Sequence, residues 1–343
     1  MAKQRERGWP PDPEPLPVAV VDNHTHLESI AHVLPDDVLP PSPAAHLERA
    51  AAVGVERVVQ VGCDLLSARW TDALLRGDET VWGEPATSAP DPAPSHAEHA
   101  VGARSGPSAG DDGMVGEVRR VLGAVAIHPN EAVLHGGVRE VGPDGLEPDP
   151  RPHHATSLDD AVAEIARIAR QNDRVRAVGE TGMDLFRTGP EGERVQRASF
   201  RAHVALAKEL GLALQIHDRD AHAEVLDVLA RDGAPERTVF HCYSGDAEMA
   251  RFCAAQGWYL SFAGPVTFRA NDELRAALRE VPPGQVLVET DAPYLTPHPY
   301  RGRPNAPYVL PQTVRTVAEV LDLPLPAVCE RLAATSEAVY GPW

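Results

Sequence analysis

The feature that most constrains this chain is a rhythm of eight short aliphatic runs separated by longer stretches with helical periodicity. The runs cover residues 18–23, 57–63, 121–127, 175–180, 212–217, 237–242, 257–262 and 285–290. Most are continuously apolar rather than alternating, the pattern of parallel strands covered on both faces. Between them lie PAAHLERAAAVG, SLDDAVAEIARIARQ, RVQRASFRAHVALAKELG and DAHAEVLDVLARDG, each with an apolar stripe at helical spacing. Several close on glycine, the residue that tolerates the left-handed turn ending a helix. Eight strand–helix units in 343 residues predict an α/β fold, a (β/α)8 TIM barrel. A doubly wound open sheet is the alternative. It is disfavoured because no glycine-rich phosphate loop follows the first run.

Three segments fall outside the rhythm. Residues 1–17 are proline-rich and polar and are expected to form a disordered leader to a single domain over 18–343. Residues 84–117 and 136–157 are rich in Pro, Gly, Ser and acids without periodicity, and are expected to be disordered loop insertions. His96, His99, His153 and His154 within them are expected to be solvated rather than ligating.

A formal net charge of −18 argues against broad electrostatic binding of nucleic acid, which needs basic surface to neutralise phosphates. It leaves open a phosphate-bearing substrate held by metal ions and a few arginines. The four cysteines, Cys63, Cys242, Cys253 and Cys329, show neither disulfide-framework nor zinc-knuckle spacing, which predicts a reduced, cytoplasmic compartment. No apolar run reaches the roughly 20 residues that span a bilayer, and the N-terminus has no signal-like apolar core. A monomer without a membrane or a stable protein partner is expected.

The chemistry gathers where the aliphatic runs end. "VVDNHTHLES" places His24 and His26 two apart, on one face of an extended chain, with Thr25 facing away. His128 follows the third run, Glu180 ends the fourth, His217 the fifth and His241 the sixth, while Asp291 follows the eighth. All fall at C-terminal strand ends, the face on which barrel enzymes assemble active sites. One histidine at such a position is ordinarily structural. Five, with a glutamate and an aspartate, supply nitrogen and oxygen donors for two divalent ions such as Zn, Mn or Mg. Glu180, on a middle strand, is the carboxylate placed to bridge them.

Taken in order, "DNHTHL", "AIHPNEA", "GETGMD", "QIHDRDA", "HCYSG", "ETDAPYL" and "PHPYRGRPNAPYV" resemble the TatD family of metal-dependent deoxyribonucleases, within the amidohydrolase-like barrels. The resemblance runs from residue 20 nearly to the end. It implies one ion held by His24, His26, Glu180 and Asp291, and a second held by Glu180, His217 and His241. It also implies DNA as substrate, cleaved 3′ to 5′ from single-stranded ends. The chain departs from the family pattern at Ala306, where an acid is common, at Met183-Asp184-Leu185-Phe186, and in the leader and two insertions. These departures bear on substrate preference.

The expected mechanism is attack by a hydroxide bridging the two ions, with Asp291 as general base. His128 is assigned to substrate phosphate or the leaving group, and Tyr294, Arg301 and Tyr243 to substrate binding. Asp184 and Asp218 are expected to orient the histidines. A glutamate-bridged hydrolase of an ester or amide, such as a D-aminoacyl-tRNA deacylase or a small-molecule esterase, is the alternative. A lysine-bridged version is excluded because Lys3 and Lys208 lie at no strand end. A metal-binding scaffold without turnover is disfavoured by the intact ligand set.

Overall fold

A computed structural model describes residues 8–34, 39–83 and 116–343. Eight parallel strands pair in sequence order, β1 Val20–Thr25, β2 Val55–Gly62, β3 Val121–Val125, β4 Val175–Asp184, β5 Ala213–Arg219, β6 Thr238–Phe240, β7 Tyr259–Phe262 and β8 Val286–Val288. Helices lie in the crossovers, among them Leu158–Gln171, Pro190–Leu210 and His222–Asp232. The seam between β8 and β1 is closed by backbone bonds from His26 N–H to Ala292 O (2.8 Å) and Asp291 N–H to His24 O (3.0 Å). This is the expected (β/α)8 barrel.

The core divides as barrel geometry requires. Inside, Val59, Val61, Leu122, Ala124, Ala177, Ala213, Val239 and Leu287 pack together with Tyr340 of the C-terminal helix. The Tyr340 hydroxyl accepts from Gln215 Nε2 at 2.8 Å, giving the buried amide a partner. Outside, the opposite faces of the same strands meet the helices, as Val58, Val121, Val178 and Leu214 do. Helix starts follow their side chains: Ser157 accepts from Asp160 N–H, Asp246 from Met249 N–H, and Asp64 forms a capping box with Ser67.

Two expectations fail. Residues 8–17 are docked rather than loose. Leu16 is buried and donates to Val53 O, Trp9 packs on His46 and Tyr308, and Asp12 pairs with Arg49 at 2.6 Å. The proline-rich backbone cannot pair with itself, so neighbouring side chains take up its carbonyls. Tyr308 Oη donates to Pro10 O and Arg315 to Glu14 O.

The segment 136–157 is likewise ordered against the barrel top and carries a short 3-10 turn, Pro152–Ala155. His153 and His154 are therefore not solvated, since both side chains are more than nine-tenths buried. His96, His99 and residues 84–115 lie outside the described residues. Among the described helices, none is long and apolar enough to cross a membrane.

Candidate metal centre

Local structure aims the donors. β1 carries His24 as its penultimate residue and His26 just past its end, so both imidazoles share one face. The strand is stitched to β8 at that level: Asn23 Nδ2 donates to Val288 O at 2.8 Å, and Asp22 Oδ1 accepts from Thr290 N–H at 2.9 Å. Burial pushes the Asp22 carboxyl up to about 8, with the Thr290 contacts opposing. Asp291 then turns with φ +51°, a left-handed conformation rare for a residue with a side chain and concentrated at functional sites.

Glu180 sits in an irregularity of the β4–β5 register between Val178 and Thr181, a device that re-aims side chains near active sites. Two residues on, Gly182 has φ +145°, and a Cβ there would fall on the His217 carbonyl oxygen. Only glycine lets β4 approach the ligand-bearing end of β5 this closely.

The donor atoms converge on Glu180. On one side, His24 Nε2 and His26 Nε2 stand 3.1 Å apart. Glu180 Oε2 lies 3.5 and 3.9 Å from them, and Asp291 Oδ1 lies 3.9 and 3.4 Å from the same two nitrogens. Around an ion with bonds of about 2.0–2.2 Å, tetrahedral neighbours stand roughly 3.3–3.6 Å apart. His24, His26 and Glu180 bring donor atoms within 4.8 Å of one another, as do His24, His241 and Asp291, and the five separations lie around that range. On the other side, Glu180 Oε1 faces His217 Nδ1 (2.5 Å), His241 Nε2 (2.9 Å) and His128 Nε2 (3.5 Å). One carboxylate thus offers one oxygen to each of two groups.

The rear nitrogens are tethered in the way metal-binding imidazoles require. His26 Nδ1 is 3.1 Å from Val61 O and His217 Nε2 is 3.3 Å from Asp184 Oδ2, while Glu289 Oε1 stands 3.0 Å from His241 Nδ1 as a charge contact without hydrogen-bond geometry. Asp184 is held in turn by Asn130 Nδ2 at 3.0 Å. His24 Nδ1 is buried without a hydrogen-bond partner among the described residues.

Protons reveal the demand for positive charge here. Burial lowers His24 to about 3, helped by the charge of His241. Burial also works against charge on His26 and His217, yet the carboxylates overcome it and raise each to about 9. Asp291 acts first on His26, and Glu180 on His217. Burial would raise Glu180, but His241, His128 and His217 hold it well below the usual range. Buried carboxylates are balanced by protonated imidazoles, and a bound cation displaces those protons. The residues fit divalent ions.

Sequence reasoning missed two neighbours. Glu289 accepts from Cys242 N–H (2.6 Å) and Ser261 Oγ (2.5 Å) and fixes His241 from behind. Its signal was present in "VLVETDAPYL", because Glu289 and Asp291 share strand parity. Cys63, at the end of β2, points its thiol at Glu180 Oε2 from 3.4 Å; it was read only as an unpaired cysteine. Glu289→Gln is expected to weaken metal affinity about 10- to 100-fold with the fold intact, measured by titrating metal into the apo-protein.

Three expected assignments are not met. Tyr243 is buried, its hydroxyl donating to Asp246 O at 2.8 Å, so it does not face substrate. The Arg301 guanidinium stacks 4.1 Å over the Phe268 ring and does not line the cleft. Asp218 accepts from His222 at 2.8 Å rather than orienting a clustered histidine. Tyr294 does stand at the rim, half exposed and edge-on to His26 with centroids 6.3 Å apart. Above the cluster opens a cleft of about 730 Å³. Its floor includes His26, Cys63, His128 and Glu180, and one wall comes from the 136–157 segment.

A parallel barrel with a histidine–carboxylate cluster at its C-terminal mouth is an architecture suited to a metal-dependent hydrolase. A sequence profile described as TatD related DNase matches residues 21–341, and the chain belongs to the TatD family. It is 38% identical over 326 residues to a protein of Mycobacterium tuberculosis named as an uncharacterized metal-dependent hydrolase, TatD, covering 94% of this chain and 98% of that one. It is also 38% identical over 174 residues to the 3′-5′ ssDNA/RNA exonuclease TatD of Yersinia pseudotuberculosis, covering 49% and 66%. Among solved structures, the Escherichia coli TatD homologue YJJV superposes with TM-score 0.67 at 20% identity, covering 94% of this chain and 97% of that one. A TatD family hydrolase of Entamoeba histolytica gives 0.69 at 13% identity, covering 96% and 100%.

Proposed function

We propose that this metal-dependent hydrolase is a two-metal phosphodiesterase that removes nucleotides from the 3′ ends of single-stranded DNA. The observation that carries the two-metal part is the division of Glu180, with Oε2 facing His24 and His26 and Oε1 facing His217 and His241. The name of the Yersinia relative supports the substrate class. Bound there, two cations would supply Lewis acidity to a phosphoryl oxygen and lower the pKa of water held between them.

The chain's own residues do the rest. Asp291, at the mouth beside His24 and His26, takes the proton from the attacking water. His128 is neither solvated nor free to rotate. It caps the helix Pro129–His135, and its Nδ1 accepts from Asn130 N–H at 3.1 Å. A ring whose Nδ1 accepts carries its proton on Nε2, and that Nε2 points into the cluster. His128 is therefore a donor in this tautomer, suited to a phosphoryl oxygen or the departing 3′ oxygen, with Nε2 also near Glu180 and His217. Tyr294 offers a ring face at the rim for stacking a terminal base.

His128→Gln, which keeps an N–H donor but not a transferable proton, is expected to lower kcat about 10²-fold while two ions remain bound. Steady-state kinetics alongside metal analysis check this.

One observation favours a second reading, an esterase with the same metal pair. The cleft wall carries Glu140, Asp144, Glu147 and Asp149 against Arg151 and Arg187, an acidic lining for a polyanion to pass. The test is the purified protein with single-stranded DNA labelled at either end, an ester panel, and Mg²⁺, Mn²⁺ or Zn²⁺. Stepwise shortening from the 3′ end supports the nuclease. Ester turnover without DNA cleavage under any metal overturns it in favour of the second reading.

A further inference from the structure

A second cluster of imidazole and carboxylate lies on the cleft wall, away from Glu180. The helix Pro129–His135 contributes Glu131, and the 3-10 turn Pro152–Ala155 lays His153 and His154 over it. His154 Nε2 is 2.6 Å and His153 Nε2 is 3.6 Å from Glu131 Oε2, and the three donor atoms all lie within 4.8 Å of one another.

Two further facts point to a ligand. The His153 side chain is 7% exposed, and its Nε2 has no hydrogen-bond partner among the described residues. His135, one helical turn beyond Glu131, has its Nδ1 2.8 Å from Thr156 O, which places the proton on Nδ1. Its buried Nε2 is then a bare lone pair, also without a partner. The ring stands 4.9 Å from that of His154 and 6.0 Å from that of His153, centroid to centroid. A buried acceptor with no donor is destabilising, and no donor among the described residues reaches this one.

We propose that Glu131, His153 and His154, with His135 behind them, form a separate site for one divalent cation of the imidazole-seeking kind, such as Zn²⁺. The site is structural. Every donor is protein, and it clips the 136–157 segment to the helix that carries His128, which closes that wall of the cleft.

The proton inventory is consistent with this. Without a cation, His154 Nδ1 accepts from Arg151 N–H at 2.7 Å, and its Nε2–H donates to Glu131. Coordination through Nε2 would place the ring proton on Nδ1, at the expense of the bond from Arg151 N–H. The inference stands independently of what the barrel centre hydrolyses.

The test uses full-length protein stripped with chelator and titrated with Zn²⁺, comparing wild type with His153→Gln and His154→Gln. His153→Gln removes a side chain that makes no hydrogen bond through Nε2, and His154→Gln keeps a donor to Glu131, so both are expected to fold. Wild type should bind one equivalent more than either variant at saturation, or bind that equivalent at least tenfold more tightly. Zn²⁺ should slow amide exchange across 136–157 in wild type only. Equal stoichiometry and affinity in all three proteins, or no Zn²⁺-dependent protection of 136–157 in wild type, would overturn the site.

Discussion

Glu180→Gln is expected to abolish hydrolysis, with a fall in kcat/KM of at least 10³-fold, and to lower the metal content of the barrel centre below two ions. Glutamine keeps the size and one oxygen, so the β4 register and packing survive. It loses the anionic oxygen facing one group and presents an N–H there. Glu180 offers a separate oxygen to each group, with Oε2 3.5 Å from His24 Nε2 and Oε1 2.9 Å from His241 Nε2. A 10³-fold loss corresponds to about 4 kcal/mol of transition-state stabilisation, the scale of removing a principal electrostatic element. An unchanged thermal midpoint of the apo-protein, measured beside the kinetics, separates this effect from misfolding.

Asp291→Asn is the second large effect, with an expected loss of about 10²- to 10⁴-fold in kcat, the range for removing a positioned general base. Its metal consequence differs from that of Glu180. Asparagine retains an oxygen toward the His24–His26 pair, and the Glu180, His217 and His241 group is untouched, so metal content should fall by at most one ion. The φ of +51° at residue 291 is well tolerated by asparagine, and the backbone turn is therefore kept. A result in which kcat stays within threefold of wild type would remove Asp291 from the proton-transfer role.

The barrel was legible because its signal is redundant. Eight apolar runs with interleaved helical stripes admit few alternatives, and the same periodicity brought His24, His26, His128, Glu180, His217, His241 and Asp291 to one end. Strand limits were less legible, since they depend on partners distant in sequence. β1 extends to Thr25 because Thr25 pairs with Gln60 and bridges Ala292, and β4 runs on to Asp184 because β5 continues beside it to Arg219. Composition misjudged the 136–157 segment. It lacks an apolar stripe, yet it is held by polar contacts to Glu131 and to the N-terminus of the helix Pro190–Leu210, where Glu140 accepts from Glu191 and Gly192 N–H. Such contacts leave no periodic trace. Tyr243 and Arg301 lie away from the cleft for a related reason, because each finds a nearer partner, Asp246 or Phe268, that spacing alone does not show.

The central claim is that one glutamate holds two ions, and diffraction at the absorption edge of a bound metal addresses it most directly. Crystals grown with Zn²⁺ or Mn²⁺ should show two anomalous peaks at the barrel mouth, about 3.5–4 Å apart, with Glu180 between them. One should lie against His24, His26 and Asp291, the other against His217 and His241, and none within bonding distance of His128. A single peak at saturating metal, or two peaks that do not share Glu180, would contradict the account.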